Sequence, residues 1–168
     1  MLLKVLSEVT PQELTELRLR RIHKPIEQHY GMILRGERIA RKIYLEQLQE
    51  LLKQRGEHRT FCTIARWERN FSSPTINVIA IWASCLDLKM SVFIDSPEYR
   101  LVKGNWLEKL KALRKDRGIA REKINRAIGV KPWMITLWER GEKHPNEAEL
   151  KAWAQSLGAT ACLVFERV

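Results

Sequence analysis

The chain says nearly the same thing twice over its last two-thirds, and this limits its fold more than any other feature. Residues 44–56 read YLEQLQELLKQRG and residues 106–118 read WLEKLKALRKDRG, an offset of 62. Further on, WERNFSSP at 67–74 answers WERGEKHP at 138–145, now at an offset of 71. The same 71 carries Ile81-Trp82-Ala83 onto Ala152-Trp153-Ala154, and SVFID (91–95) onto CLVFE (162–166). A unit of about sixty residues is too long for a solenoid repeat and long enough for a small domain. The jump from 62 to 71 implies that the first copy lacks nine residues between Gly56 and Trp67. The ten residues left there, 57–66, then build one helix where the second copy builds two.

Local signals divide the rest of the chain. Thr10-Pro11-Gln12-Glu13 is a helix start, with a cap, a first-turn proline and a capping-box glutamate, so a helix is expected over 10–21. Ile26, Tyr30 and Ile33 recur at helical spacing, and from Glu37 the pattern is expected to run on into the first copy. Residues 96–105 (SPEYRLVKGN) read as a linker. In the second copy Asn105 caps a helix with Leu107, Leu110 and Leu113 on one face, ended by Gly118. Ile124 and Ile128 mark a short second helix stopped by Gly129. A third helix starts with Pro132 in its first position and closes at Gly141. Asn146 caps a fourth, with Leu150, Trp153, Ala154 and Leu157 facing inward. Residues 161–165 and 91–94 have the composition of strands. Thr60 caps the single helix of the first copy, and Trp67, Trp82, Trp138 and Trp153 are expected in the core.

The run IAREKINRAIGVKPWMITLWERGEKHP (119–145) resembles the helix-turn-helix of the Cro/repressor family, also called the XRE family. The fold class implied is mainly α: tandem lambda-repressor-like helix-turn-helix repeats, each ending in a short β-strand, behind an N-terminal helical arm. The division is an arm over 1–43, a degenerate scaffold or dimerisation repeat over 44–98 and a DNA-binding domain over 99–168. The terminal strands resemble those of HipB-type antitoxins, in which the strand supports dimerisation. Of the pair of helices joined by a glycine turn, the second enters the major groove. By the resemblance, Arg121 at the start of the second helix clamps a phosphate. Lys131, Pro132, Trp133, Thr136 and Leu137 lie on the leading edge and exposed face of the third helix, and Lys143 and His144 lie in the loop that approaches the backbone. Lys131 suits a phosphate or guanine edge, and Thr136 and Trp133 suit a base edge or a thymine methyl. Two features depart from the family: Asn125 stands where alanine is usual, and the reading helix is unusually apolar.

Charge agrees with this division. Residues 44–98 hold six Lys/Arg against seven Asp/Glu, whereas 99–168 hold fifteen against eight. Basic charge gathered on one small domain favours a polyanion. The arm's cations, Arg18, Arg20, Arg21, Lys24, Arg38, Arg41 and Lys42, are a further candidate grip, second to a helix packed on the core. Cys62, Cys85 and Cys162 lack CxxC spacing and read as buried, reduced side chains. The four histidines lack metal-ligand spacing, so neither metal nor cofactor is expected. Nucleophile-elbow, P-loop and zinc-protease motifs are missing, which argues against an enzyme. The apolar runs are too short for a membrane span or a signal peptide, and a cytoplasmic, nucleoid-associated protein is expected.

These readings converge on a sequence-specific DNA-binding transcriptional regulator, expected as a homodimeric repressor on double-stranded DNA. The alternative is an antitoxin or adaptor that holds a toxin or other partner protein on the helix-turn-helix scaffold.

Overall fold

In a computed structural model, residues 29–97, 102–103 and 105–168 are described. The helix expected over 10–21 lies outside them, as do Arg18, Arg20, Arg21 and Lys24. A first unit holds α1 (Tyr30–Ala40), α2 (Leu45–Gln54), α3 (Phe61–Glu68), α4 (Ile76–Ser84) and β1 (Leu88–Asp95). A second holds α5 (Trp106–Asp116), α6 (Arg121–Ile128), α7 (Met134–Glu139), α8 (Glu147–Ser156) and β3 (Thr160–Arg167). Between them Val102–Lys103 forms β2, a two-residue strand inside the segment expected to be a plain linker.

The caps follow the residues that the sequence supplies. The side chains of Thr60, Asn105 and Asn146 accept from the third backbone N–H of α3, α5 and α8, satisfying a donor that a helix start leaves unpaired. Glu149 returns the bond to the Asn146 N–H at 2.8 Å and completes a capping box. The third helix of the second unit starts later than expected. Pro132 and Trp133 form a turn ahead of it, and the first helical residue is Met134.

The first unit departs from the expected layout. Its polypeptide does not flow from Glu37 into 44–56. Helix α1 ends at Ala40, and Lys42 adopts a left-handed φ of 56° before α2 begins. Gly118 does the same between α5 and α6, at φ 60°. Arg38 of α1 donates through Nε and Nη2 to Glu68 at 2.6 and 2.9 Å, and through Nη1 to the Ile43 carbonyl at 2.8 Å. Arg114 of α5 makes the same three bonds, to Glu139 at 2.5 and 3.1 Å and to the Ile119 carbonyl at 3.2 Å. Helix α1 therefore stands where α5 stands, and α2 stands where α6 stands. The segment 44–56 corresponds to the second helix rather than the first, and no positioning helix is missing. The stretch between the second and third helices is in fact the longer one in the first unit.

The cores repeat this assignment. Tyr30 meets Trp82 edge-on with ring centroids 6.3 Å apart, and Trp67 lies tilted on Trp82 at 6.0 Å. Trp106 meets Trp153 edge-on at 6.2 Å, and Trp138 lies tilted on Trp153 at 5.6 Å. Such aromatic pairs contribute about 0.5–1.5 kcal/mol each beyond the area they bury. Trp67, Trp82, Trp138 and Trp153 are all buried, as expected. Because Tyr30 and Leu34 belong to this core, a division between arm and first unit at residue 43 would cut through packed side chains. Of the cysteines only Cys85 is buried; Cys62 is exposed on α3 and Cys162 half-buried on β3.

The units are joined by a sheet of order β2-β1-β3. Strands β1 and β3 run antiparallel over eight residues, from Leu88 opposite Arg167 to Asp95 opposite Thr160. A second junction lies at the starts of α4 and α8, where Thr75 and Asn146 form a β-bridge and the Ile76 N–H donates to the Pro145 carbonyl at 2.9 Å.

Candidate nucleic-acid interface

Helices α6 and α7 are held by their own sequence. Gly129 ends α6 in the left-handed region at φ 77°, where a side chain would be strained, and its N–H and that of Val130 both donate to the Asn125 carbonyl at 3.0 Å. The buried Asn125 side chain then spans the turn. Its amide nitrogen donates to the Pro132 carbonyl, and its oxygen accepts from the Ile135 N–H at 3.0 Å. An alanine here would leave the Pro132 carbonyl and the Ile135 N–H to find other partners. The family departure at this position is thus a strut that fixes the start of the third helix.

The other end of α7 is fixed by charge. Glu139, 3% exposed, accepts the Arg114 pair and also Arg121 Nε at 2.7 Å. Burial alone would push its carboxyl up, but the bonds and charges of Arg114 and Arg121 outweigh that and hold it below the usual carboxylate range. One carboxylate so ties the last turn of α7 to α5 and to the first residue of α6. Arg121, expected as a free phosphate clamp, is in the first place a partner of Glu139, with 40% of its side chain still exposed.

The remaining expected residues are distributed around α7. Lys131, Pro132 and Trp133 are exposed at its head, with the Lys131 ammonium 5.9 Å from the centre of the Trp133 ring. Trp133, at 55%, is the most exposed tryptophan of the chain's described residues. Thr136 and Leu137 are half-buried on the helix, Lys143 is exposed in the following loop and His144 is half-buried there. Sequence reasoning missed the exposed cations Lys123, Arg126 and Arg140, which border the same helices. It also missed the Arg114–Glu139 bond, whose signal was present as Trp-Glu at both 67–68 and 138–139.

The lever this builds is mechanical and electrostatic. A short helix is pinned at one end by an amide and at the other by an ion triad, with cations on both flanks and an aromatic at its tip. Fixed donors and cations of this kind suit the phosphates and groove edges of a duplex.

Among the described residues no helix is long and apolar enough to cross a membrane. No curated protein and no solved structure shows significant similarity to the chain. Residues 110–163 match a family of DNA-binding regulatory domains described as Helix-turn-helix, which is not an enzyme family. The match spans α5 to β3 and takes in the Asn125 strut, the Glu139 triad and the exposed head of α7. Residues 110–163 are thus a helix-turn-helix domain of the Cro/repressor (XRE) family, and they mark the protein as a DNA-binding regulator of that type.

Proposed function

We propose that the protein is a sequence-specific repressor that grips duplex DNA through its C-terminal unit, residues 99–168, and silences a promoter by covering it. The observation that carries this reading is the exposed Lys131-Pro132-Trp133 head of a helix braced from behind by Asn125. Lys131 and Lys143 neutralise phosphates. Trp133 and Thr136 meet base edges or thymine methyls, with Pro132 and Leu137 supplying apolar contact. His144 lies beside the backbone, and Arg121 offers a phosphate the part of its guanidinium that Glu139 leaves open. The first unit is the scaffold whose strand β1 pairs with β3. That pairing favours two units joined within one chain over a homodimer built through the same strands.

A second reading, an antitoxin or adaptor, is favoured by the exposed aromatics Trp133, Phe61 and Phe71, because aromatic side chains are enriched at protein contacts.

Footprinting on sheared genomic duplex separates the two. The repressor protects a defined site, and its affinity falls steeply with salt as counterions are released. Lys131→Glu with Lys143→Glu, both at exposed positions, lowers that affinity more than tenfold in a folded protein. Undiminished binding by this variant, or a wild-type protein that binds a partner protein and no duplex, sinks the proposal.

A further inference from the structure

We infer that the first unit carries a second duplex-reading surface on α3, so that one chain spans two unlike half-sites. The inference rests on the DNA-binding reading of the second unit.

In the β1–β3 ladder the start of each strand lies opposite the end of the other, Leu88 with Arg167 and Asp95 with Thr160. Pairing of this kind relates the two strands by a two-fold axis through the middle of the ladder. The Thr75–Asn146 bridge joins equivalent cap positions of α4 and α8 and obeys the same relation. The Arg–Glu–carbonyl clamps and the aromatic triads extend it to the helices. Rotation about a two-fold axis preserves direction along that axis. Whichever way α7 projects along it, α3 projects the same way. A shared face for the two third helices, the arrangement that lets paired readers address half-sites on one side of a duplex, is part of this inference.

The chemistry of α3 fits the same partner. Between His58 and Pro74 the sequence holds Arg59, Arg66 and Arg69, all exposed, and one carboxylate, Glu68. Glu68 is 4% exposed and is consumed by Arg38, so it presents no negative charge outward. Arg59 has an ion pair with Glu57 at 3.3 Å and remains 47% exposed. Phe61, 45% exposed, stands at the position of Pro132, and Arg66 at that of Leu137. The low charge of 44–98 does not argue against this. Counted over its described residues, 29–97, the first unit holds ten Lys/Arg against seven Asp/Glu. Because Phe61 and Arg66 replace Pro132 and Leu137, the two helices read different sequences. The bound site is then an asymmetric pair of half-sites about one helical turn apart, about 34 Å.

The test starts from a site selected by the full chain from a random-sequence duplex pool. Hydroxyl-radical footprinting and native mass spectrometry are then run on wild type, Arg59→Glu with Arg66→Glu, and Lys131→Glu with Lys143→Glu. Circular dichroism and thermal melting confirm that each variant is folded. The expected result is one chain per duplex and a two-part, non-palindromic footprint. Arg59→Glu with Arg66→Glu lowers affinity at least tenfold and erases one part; the lysine variant erases the other. An unchanged affinity and footprint for the arginine variant overturns this inference alone, as does a symmetric footprint holding two chains. A wild-type chain that selects no duplex overturns it together with the repressor reading.

Discussion

Arg114 and Glu139 meet through both carboxylate oxygens, at 2.5 and 3.1 Å, in a site where neither side chain is more than one-tenth exposed. Removing one partner of such a pair strands the other charge out of water. Breaking a buried pair costs about 3–5 kcal/mol. Glu139→Ala is expected to fall in that range by chemical denaturation and to lower the melting temperature by roughly 10 °C, taking about 2–4 °C per kcal/mol for a chain of this size. A change below 1 kcal/mol would show that the triad does not hold α7.

The same carboxylate contributes to acid sensitivity. Its folded-state ionisation lies below the unfolded value, so its contribution is present above about pH 4.3 and is lost as pH falls through the lower, folded value. Burial acts at the other extreme, pushing Tyr30 up to about 12, so its phenol keeps its proton better in the folded chain. Stability then falls as pH rises above about 10. Melting curves from pH 3 to 11 should show both limbs. Glu139→Gln should flatten the acid one, and Tyr30→Phe the alkaline one.

Two glycines in α1 make opposite predictions. A Cβ at Gly31 would run into the Trp67 carbonyl oxygen, part of the rigid backbone, whereas a Cβ at Gly36 meets nothing within 4 Å. Gly31→Ala should destabilise by about 1–3 kcal/mol, as overpacking does. Gly36→Ala should stabilise by about 0.5–1 kcal/mol, because alanine restricts the unfolded chain more and favours helix. Urea midpoints of the two variants, moving in opposite directions, check the α1–α3 contact.

Asn125→Ala removes both bonds that fix the head of α7. The stranded groups should cost about 1–3 kcal/mol. The reading face should also lose its fixed aim, so duplex affinity falls by more than the stability loss explains in a protein still fully folded. Binding isotherms well below the melting temperature measure this. Unchanged affinity would assign Asn125 to stability alone.

Much of the second unit was legible because its punctuation is local. Asn105, Gly118, Gly129 and Asn146 each act through bonds to backbone within a few residues. The first unit was misread because similarity was taken for equivalence. YLEQLQELLKQRG resembles WLEKLKALRKDRG since any amphipathic helix on a core places leucines three and four apart. The true counterpart, YGMILRGERIA, shares little composition with it. What it shares is Arg38, five residues before an isoleucine whose carbonyl it binds, and an aromatic at its head. The same arginines, Arg38 and Arg114, reach glutamates 30 and 25 positions on, a pairing that helical periodicity does not display. Lys42 hid a left-handed turn that glycine announces at 118. Asn125 looked like a defect in the motif because its two partners lie across the turn, seven and ten positions on.

The antiparallel ladder between Leu88–Asp95 and Thr160–Arg167 closes inside a single molecule. Halves tethered in this way meet at an effective concentration fixed by the connecting segment rather than by the cell. Dilution does not separate them. On the one-chain reading inferred above, occupancy of the duplex site rises with the first power of protein concentration, a graded rather than a switch-like response to expression level.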